Sequence, residues 1–378
     1  MRVALNGWFW GQSNTGSGQY LHHLLVSLRR VAPDLDLVLI LPPQLSTPDD
    51  VPEGVEAVTT SGPGGNLGKV WFEQRTYPQK VAQVGADIAH VPYWGPPLRS
   101  PAPLVTSLLD VIPLAIPDYA SGTRARLYTA LVSASVRGSS HVLTLSHASR
   151  LDIIDYLEIP DERITVTYLA TDPGFHPRMG AERDPAVREK YHLPDDFILY
   201  LGGFDLRKNV NQLLLAYTYV MEAEGMEVPL VIAGREPSQW GTHMFPDLRQ
   251  YAAELGIAEN VQWIGFVPEE EKASLYRLAR VFVWPSLYEG FGLPLLEAMA
   301  CGTPVVANEV SCFPEIAADG AFLTEPGNAR TMAGAIIALL EQEPLRHTQI
   351  NAGLARVTAF SWRKTAQQTL DTYAQVLG

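Results

Sequence analysis

The chain is short of several things, and each shortage closes a class of function. Cysteine occurs twice in 378 residues, at Cys301 and Cys312. Two cysteines without metal-ligand spacing cannot build a disulfide framework, so both are expected as buried thiols in a reducing compartment. Cations are scarce, 28 Lys and Arg against 41 Asp and Glu for a net charge of −13, which opposes binding along a phosphate backbone and argues against nucleic acid. No apolar run approaches the ~20 residues that a bilayer-crossing helix needs. Residues 1–6 pass straight into a strand pattern without the succession of an export signal. The expected location is the cytoplasm. Arg29, Arg30, Arg124, Arg126 and Arg137 would support peripheral contact at the inner membrane face at most, and solvated helix faces are the simpler reading. Low-complexity segments and short tandem repeats are absent, which removes solenoids. The nine histidines never stand with carboxylates or cysteines at ligand spacing, so no metal is expected.

What is present is an ordinary globular composition, 47% apolar and 18% charged, in a chain too long for one core. Short apolar runs at 2–7, 35–41, 55–59, 87–91, 104–108, 141–145 and 164–168 read as strands, with helices at 19–31, 68–84, 124–136 and 148–157. Pro78 is expected to kink or break the second of these helices. Residues 172–194, where Pro and Gly sit among charges, read as an interdomain linker. The pattern then restarts with strands at 197–201, 230–233, 261–264, 281–284, 305–307 and 321–324. Strands alternating with helices imply parallel sheets covered on both faces. The expected class is α/β: two Rossmann-like doubly wound domains, one over residues 1–180 and one over 190–360. The tail, 361–378, has a helical period.

The run PSLYEGFGLPLLEAMACGTPVV, residues 285–306, organises the second half. It joins two strands through one short helix, with Pro294 suited to its first position and Gly302 to the residue past its end. Glu289 then lies on the loop after a strand and Glu297 in the first helical turn. Gly290 and Gly292 open the backbone between them, beside Phe291 and Leu293. The positive helix end near Leu293 suits a phosphate, which leaves Glu297 for sugar hydroxyls. The plainer alternative is a helix start stabilised by one acid, with Glu289 solvated.

Two further stretches carry chemistry. LGGFDLRKN, residues 201–209, follows the first strand of the second half, where open parallel sheets bind ligands. Arg207 and Lys208 can meet a diphosphate there, one as a planar fork and one as a point charge, with Gly203 permitting approach. At ~4 Å and an effective dielectric near ~20 each cation gains roughly 4 kcal/mol per unit charge before desolvation. The loop TGSGQY, residues 15–20, offers Gly16 and Gly18, but seven residues intervene after the strand, so a dinucleotide fingerprint is a poor match. Asp110 ends the strand at 104–108 and reads equally as a turn cap. His90 reads as structural, and Ser146 with Ser149 as a helix cap.

The motif EGFGLPLLEAMACGTPVV resembles the donor-binding motif of the family 4 retaining glycosyltransferases, enzymes of the GT-B fold whose two domains face each other across a cleft. GGFDLRKN is similar to the family's phosphate-binding element. The resemblance implies a hexosyltransferase in which Glu289 holds donor-sugar hydroxyls, Glu297 holds the ribose, and Arg207 and Lys208 bind the diphosphate. It further implies that Gly16 and Gly18 face those phosphates, that the base lies near Val267, and that the 361–378 helix packs back on the acceptor-binding first domain. The family has no agreed protein nucleophile and needs neither metal nor cofactor. Mannose from GDP-mannose is the first expectation for the donor, and a glycan or lipid-linked sugar for the acceptor. Many relatives carry His-Asp where this chain has Leu109-Asp110, and leucine donates no hydrogen bond. That departure keeps open a non-catalytic sugar-nucleotide-binding protein, and the shared phosphate site keeps open a GT-B epimerase or phosphorylase.

Overall fold

A computed structural model describes residues 1–12, 15–45, 50–224 and 228–378. Two compact units form, one from Met1–Leu169 with Ser361–Gly378 and one from Ala170–Phe360. In the first, strands β1 (Arg2–Asn6), β2 (Asp36–Ile40), β3 (Val55–Val58), β4 (Ile88–Val91), β5 (Leu104–Ser107), β6 (His141–Thr144) and β7 (Ile164–Val166) make a parallel sheet in the order β3-β2-β1-β4-β5-β6-β7. In the second, β8 (Ile198–Leu201), β9 (Leu230–Ala233), β10 (Val261–Gly265), β11 (Val281–Trp284), β12 (Val305–Asn308) and β13 (Phe322–Thr324) are ordered β10-β9-β8-β11-β12-β13. Central strands such as β4, β8 and β11 are buried along their whole length, which is why they read as unbroken apolar runs rather than alternating ones. Each sheet reverses its strand order once, between β1 and β4 and between β8 and β11. In doubly wound sheets ligands bind outside the carboxyl ends of the strands at such a point.

Three local readings need correction. The helix expected at 19–31 begins earlier, as Gly16–Val31, because Thr15 caps it by accepting the Gly18 N–H at 3.1 Å. Gly16 and Gly18 therefore sit in its first turn, not in a loop. The segment around Pro78 stays helical, but its α-helical hydrogen bonding is interrupted just before the proline. Helix Gly65–Trp71 passes into a π-helical turn, Phe72–Thr76, and then into helix Tyr77–Gln83, with Pro78 in the opening turn of the last piece, where its missing N–H costs least. The stretch read as a linker contains helix Asp184–Tyr191, with Pro185 in its first turn.

The terminal helix Trp362–Leu377 belongs to the first unit. Its Tyr373 hydroxyl meets His90 Nδ1 at 2.5 Å, His90 Nε2 meets Ser107 Oγ at 2.8 Å, and Ser107 Oγ meets the Tyr20 hydroxyl at 2.8 Å. Burial holds His90 down at about 3, so the imidazole is neutral and serves as a connector inside the core. No helix among the described residues is long and apolar enough to cross a membrane.

Candidate active site

The reversal between β8 and β11 brings the two motifs of the second unit together. After β8 the backbone passes Gly202, where a Cβ would lie 2.6 Å from the Trp284 ring, so only glycine lets this loop rest on the end of β11. It closes in a 3₁₀ turn, Leu206–Lys208, that ends at Asn209 with φ 52°, and helix Val210–Glu224 follows. After β11 the chain runs through 285–292 into helix Leu293–Ala300. The Leu287 N–H donates to the Arg207 carbonyl at 2.8 Å, which fixes one loop on the other.

Glu289 stands at the centre. Arg207 Nη1 approaches its Oε2 at 2.6 Å, while Lys208 Nζ lies 2.5 Å from Oε1 and Ser286 Oγ donates to the same oxygen at 2.8 Å. Arg207 Nη1 also donates to the Tyr288 carbonyl at 2.7 Å. Lys208 sits 4.6 Å from the centre of the Trp284 ring, a face that attracts a cation. Ser311 Oγ donates to the Glu289 carbonyl at 2.7 Å. The three charged side chains expose only 10%, 12% and 13% of their surface for Arg207, Lys208 and Glu289. Burial alone would raise the Glu289 carboxyl, but Lys208 and then Arg207 outweigh it and hold the group at about 2. Burial likewise pulls the Lys208 ammonium below its ordinary range. The result is a fixed, charged cluster, and Ser286 and Ser311 are members that sequence reasoning passed over. Ser286 lies inside the motif, next to residues that were singled out.

Glu297 departs from its expected place. Helix Leu293–Ala300 starts at Leu293 with Gly292 as its cap, so Pro294 is its second residue and Glu297 its fifth, one turn beyond the first. Gly292 has φ 88°, a left-handed cap that sets this start, and a Cβ there would meet the Phe313 ring at 2.8 Å. Glu297 is 5% exposed and accepts the Tyr276 hydroxyl at 3.0 Å. Burial pushes its carboxyl up to about 7, against the pull of Lys272. Such a group binds more protons folded than unfolded between its ordinary 4.5 and about 7, so it withdraws stability as pH rises through that window. The full withdrawal is about 3 kcal/mol. Glu297→Gln, which keeps an acceptor for Tyr276, is expected to melt above wild type at about pH 8 and to lose that advantage by about pH 4.5. Thermal melts at a series of pH values check this, and coincident curves would contradict it.

The other expected residues fall as follows. Phe291 is buried and meets Phe360 edge-on at 5.7 Å. Val267 is buried after β10, whose last residue, Gly265, has φ 74°, and Phe266 between them is half exposed under the Arg235 guanidinium. Gly203 leaves room beside Asp205 and Lys208. In the first unit, Gly18 is packed so that a Cβ would fall 2.1 Å from the Gln12 carbonyl oxygen, while Gly16 opens to solvent. Ser13 and Asn14, which precede them in sequence, lie outside the described residues. Asp110 Oδ1 accepts the Ile112 N–H at 3.0 Å, the geometry of a turn cap, and Leu109 precedes it beyond the end of β5. Ser146 Oγ caps helix His147–Leu157 by accepting the Ser149 N–H at 3.0 Å. No three His, Cys, Asp or Glu side chains among the described residues gather as a metal site would require.

Comparison with known proteins follows this division. Residues 184–356 match the model described as glycosyl transferases group 1, and residues 14–175 match glycosyltransferase family 4. The O-antigen chain mannosyltransferase B of Escherichia coli is 33% identical over 302 residues, covering 79% of this chain and 77% of that protein. A serotype-specific mannosyltransferase, WbdA, of the same organism is 27% identical over 71% of this chain, a match that spans only 33% of its own length. Among solved structures, sucrose-phosphate synthase from Thermosynechococcus elongatus superimposes with a TM-score of 0.76 at 21% identity, covering 100% of this chain and 99% of that one.

Proposed function

This chain belongs to the family 4 glycosyltransferases, with their GT-B arrangement of two parallel-sheet α/β domains, and from that premise we propose a retaining, metal-independent mannosyltransferase that uses GDP-mannose to extend a glycan or lipid-linked sugar. The observation that carries the reading is the cluster of Arg207, Lys208 and Glu289 at the β8–β11 reversal. The relatives named as mannosyltransferases support mannose as the sugar.

Each residue then has a task set by its chemistry. Transfer from a sugar nucleotide requires a leaving diphosphate and an electron-poor sugar to be stabilised together. Arg207 and Lys208, already ionised and fixed, take the negative charge that grows on the diphosphate as the bond to the sugar breaks. Glu289 keeps both cations in position before the donor arrives. Its carboxylate has acceptor sites beyond those spent on Arg207, Lys208 and Ser286, and these receive sugar hydroxyls. Held at about 2, it stays anionic through the neutral range and favours positive charge on the sugar. The start of helix Leu293–Ala300 adds its positive end. Glu297 takes the ribose, the base lies near Val267, and Gly16, Gly18 and Asp110 serve from the first unit, which receives the acceptor.

The test is consumption of GDP-mannose, UDP-glucose and ADP-glucose by the purified protein in EDTA, with mannosides as acceptors. The expected result is release of GDP alone, coupled to a lengthened mannoside. Activity restored only by added metal contradicts metal independence. Preference for another nucleotide contradicts the donor, and consumption of none contradicts the enzyme reading.

A further inference from the structure

The first sheet has a reversal point of its own, between β1 and β4, and a polar cluster stands there too. β1 ends at Asn6, and Phe9 follows it; β4 ends at Val91, and Tyr93 and Gly95 follow it. Into this place the π-helical turn carries Glu73, whose side chain is wholly buried, and one helical turn earlier stands Lys69, 25% exposed. Both Glu73 oxygens accept from the Tyr128 hydroxyl, at 3.0 and 3.1 Å. The backbone after β4 lies directly on the carboxyl, since a Cβ at Gly95 would be 2.4 Å from Glu73 Oε1. Sequence reasoning missed all of these, because a Lys and a Glu four residues apart read as a solvated helix pair.

The Lys69 ammonium is held by aromatic faces and by its ion pair with Glu73. It lies 5.2, 5.3 and 5.2 Å from the ring centres of Phe9, Tyr93 and Tyr128, and 3.6 Å from Glu73 Oε1, beyond hydrogen-bond reach. A second donor, on Asn6 at the end of β1, is also unspent. Asn6 Oδ1 accepts from the Trp8 N–H at 3.0 Å and the Tyr93 hydroxyl at 3.3 Å, while the fully buried Nδ2 has no partner among the described residues. Burial pushes Glu73 up to about 7 against the pull of Lys69, so near neutrality the carboxyl only partly offsets the ammonium. Aromatic faces, a caged cation with open donors and a buried acid that balances its charge suit a neutral, hydroxyl-rich ring better than a phosphate.

We propose that Lys69 is an acceptor-binding residue, donating to an oxygen of a hexopyranoside acceptor, and that Glu73 and Tyr128 are positioning residues that fix its ammonium. The proposal rests on the transferase reading for its meaning, though not for its test. Binding of an α-linked mannotrioside is measured by calorimetry on wild type, Lys69→Met, Lys69→Arg and Glu73→Gln, alongside GDP-mannose binding and steady-state kinetics. Lys69→Met is expected to weaken trioside binding and raise its KM by roughly 10- to 100-fold, the loss of one charge-assisted hydrogen bond. GDP-mannose affinity is expected to stay at the wild-type value. Lys69→Arg is expected to recover part of the loss, and Glu73→Gln to raise KM more than it lowers kcat. Unchanged trioside binding in Lys69→Met, no trioside binding by wild type, or displacement of the trioside by inorganic phosphate overturns the proposal. A wild type that binds the trioside and ignores GDP-mannose overturns the donor reading instead, leaving Lys69 standing.

Discussion

Lys208→Ala is expected to lower kcat/KM for GDP-mannose by roughly 10²–10³-fold, the effect of removing one fixed electrostatic donor, ~2.7–4 kcal/mol of barrier. Two losses add in this variant. The diphosphate forfeits a point charge that was already positioned, and Glu289 forfeits the nearer of its two cationic partners, at 2.5 Å. Arg207 and Ser286 still hold Glu289 at 2.6 and 2.8 Å, so the loop keeps its anchor and the fold is expected to persist. The Glu289 carboxyl should then rise from its depressed value, because Lys208 is the stronger of the two cations that hold it down. Lys208→Arg retains charge but presents a planar fork instead of a compact ammonium, and should recover only part of the rate. Steady-state kinetics with circular dichroism as a folding control measure both. Wild-type kcat/KM in Lys208→Ala would remove the diphosphate role.

Gly292→Ala is expected to cost the second unit about 2–6 kcal/mol. A non-glycine residue held in the left-handed region costs about 1–3 kcal/mol, and overpacking typically adds about 1–3 kcal/mol. Both apply here, since φ is 88° and the new methyl would lie 2.8 Å from Phe313 Cε1. Phe313 is fully buried and has little room to yield. For a unit of this size the loss corresponds to a fall in Tm of roughly 5–15 °C. Gly334→Ala is the control. It lies within helix Ala329–Glu341 with nothing within 4 Å of the new methyl, so alanine should be neutral or slightly stabilising there. Equal melting of the two variants would contradict the account of the cap. Because Gly292 sets the start of the helix beside Glu289, Gly292→Ala should also lose activity below its melting temperature.

The central strands were legible because they are buried along their length, as β4, β5, β6, β8, β9, β11 and β12 are, which turns the middle of a parallel sheet into short apolar runs bounded by turn residues. The three charges of the second unit were legible as well. Arg207, Lys208 and Glu289 lie on the loops that leave the carboxyl ends of β8 and β11, so placing the strands places the charges at one end of the sheet. Their direct pairing was not legible, since it depends on β8 and β11 lying side by side, and that is a matter of strand order. Glu297 was misplaced by one residue, enough to put it past the first turn, because the helix start depends on the φ of Gly292, a conformation that permits either a loop or a cap. Gly16 and Gly18 were read as loop because glycine lowers helix propensity, whereas the Thr15 cap and the close contact of Gly18 with Gln12 decide the matter. Lys69 and Glu73 were hidden for a related reason. A π-helical turn and a packed loop bury a pair that spacing alone assigns to solvent.

Retaining transfer of mannose from GDP-mannose, as proposed, depends on the Arg207, Lys208 and Glu289 cluster. The test is proton NMR of the first product formed from GDP-α-mannose and a mannoside, recorded in EDTA. A new α-anomeric signal is expected to grow as GDP is released and to be lost with Lys208→Ala. A β-linked product, or an α-linked one formed equally well by that variant, would contradict it.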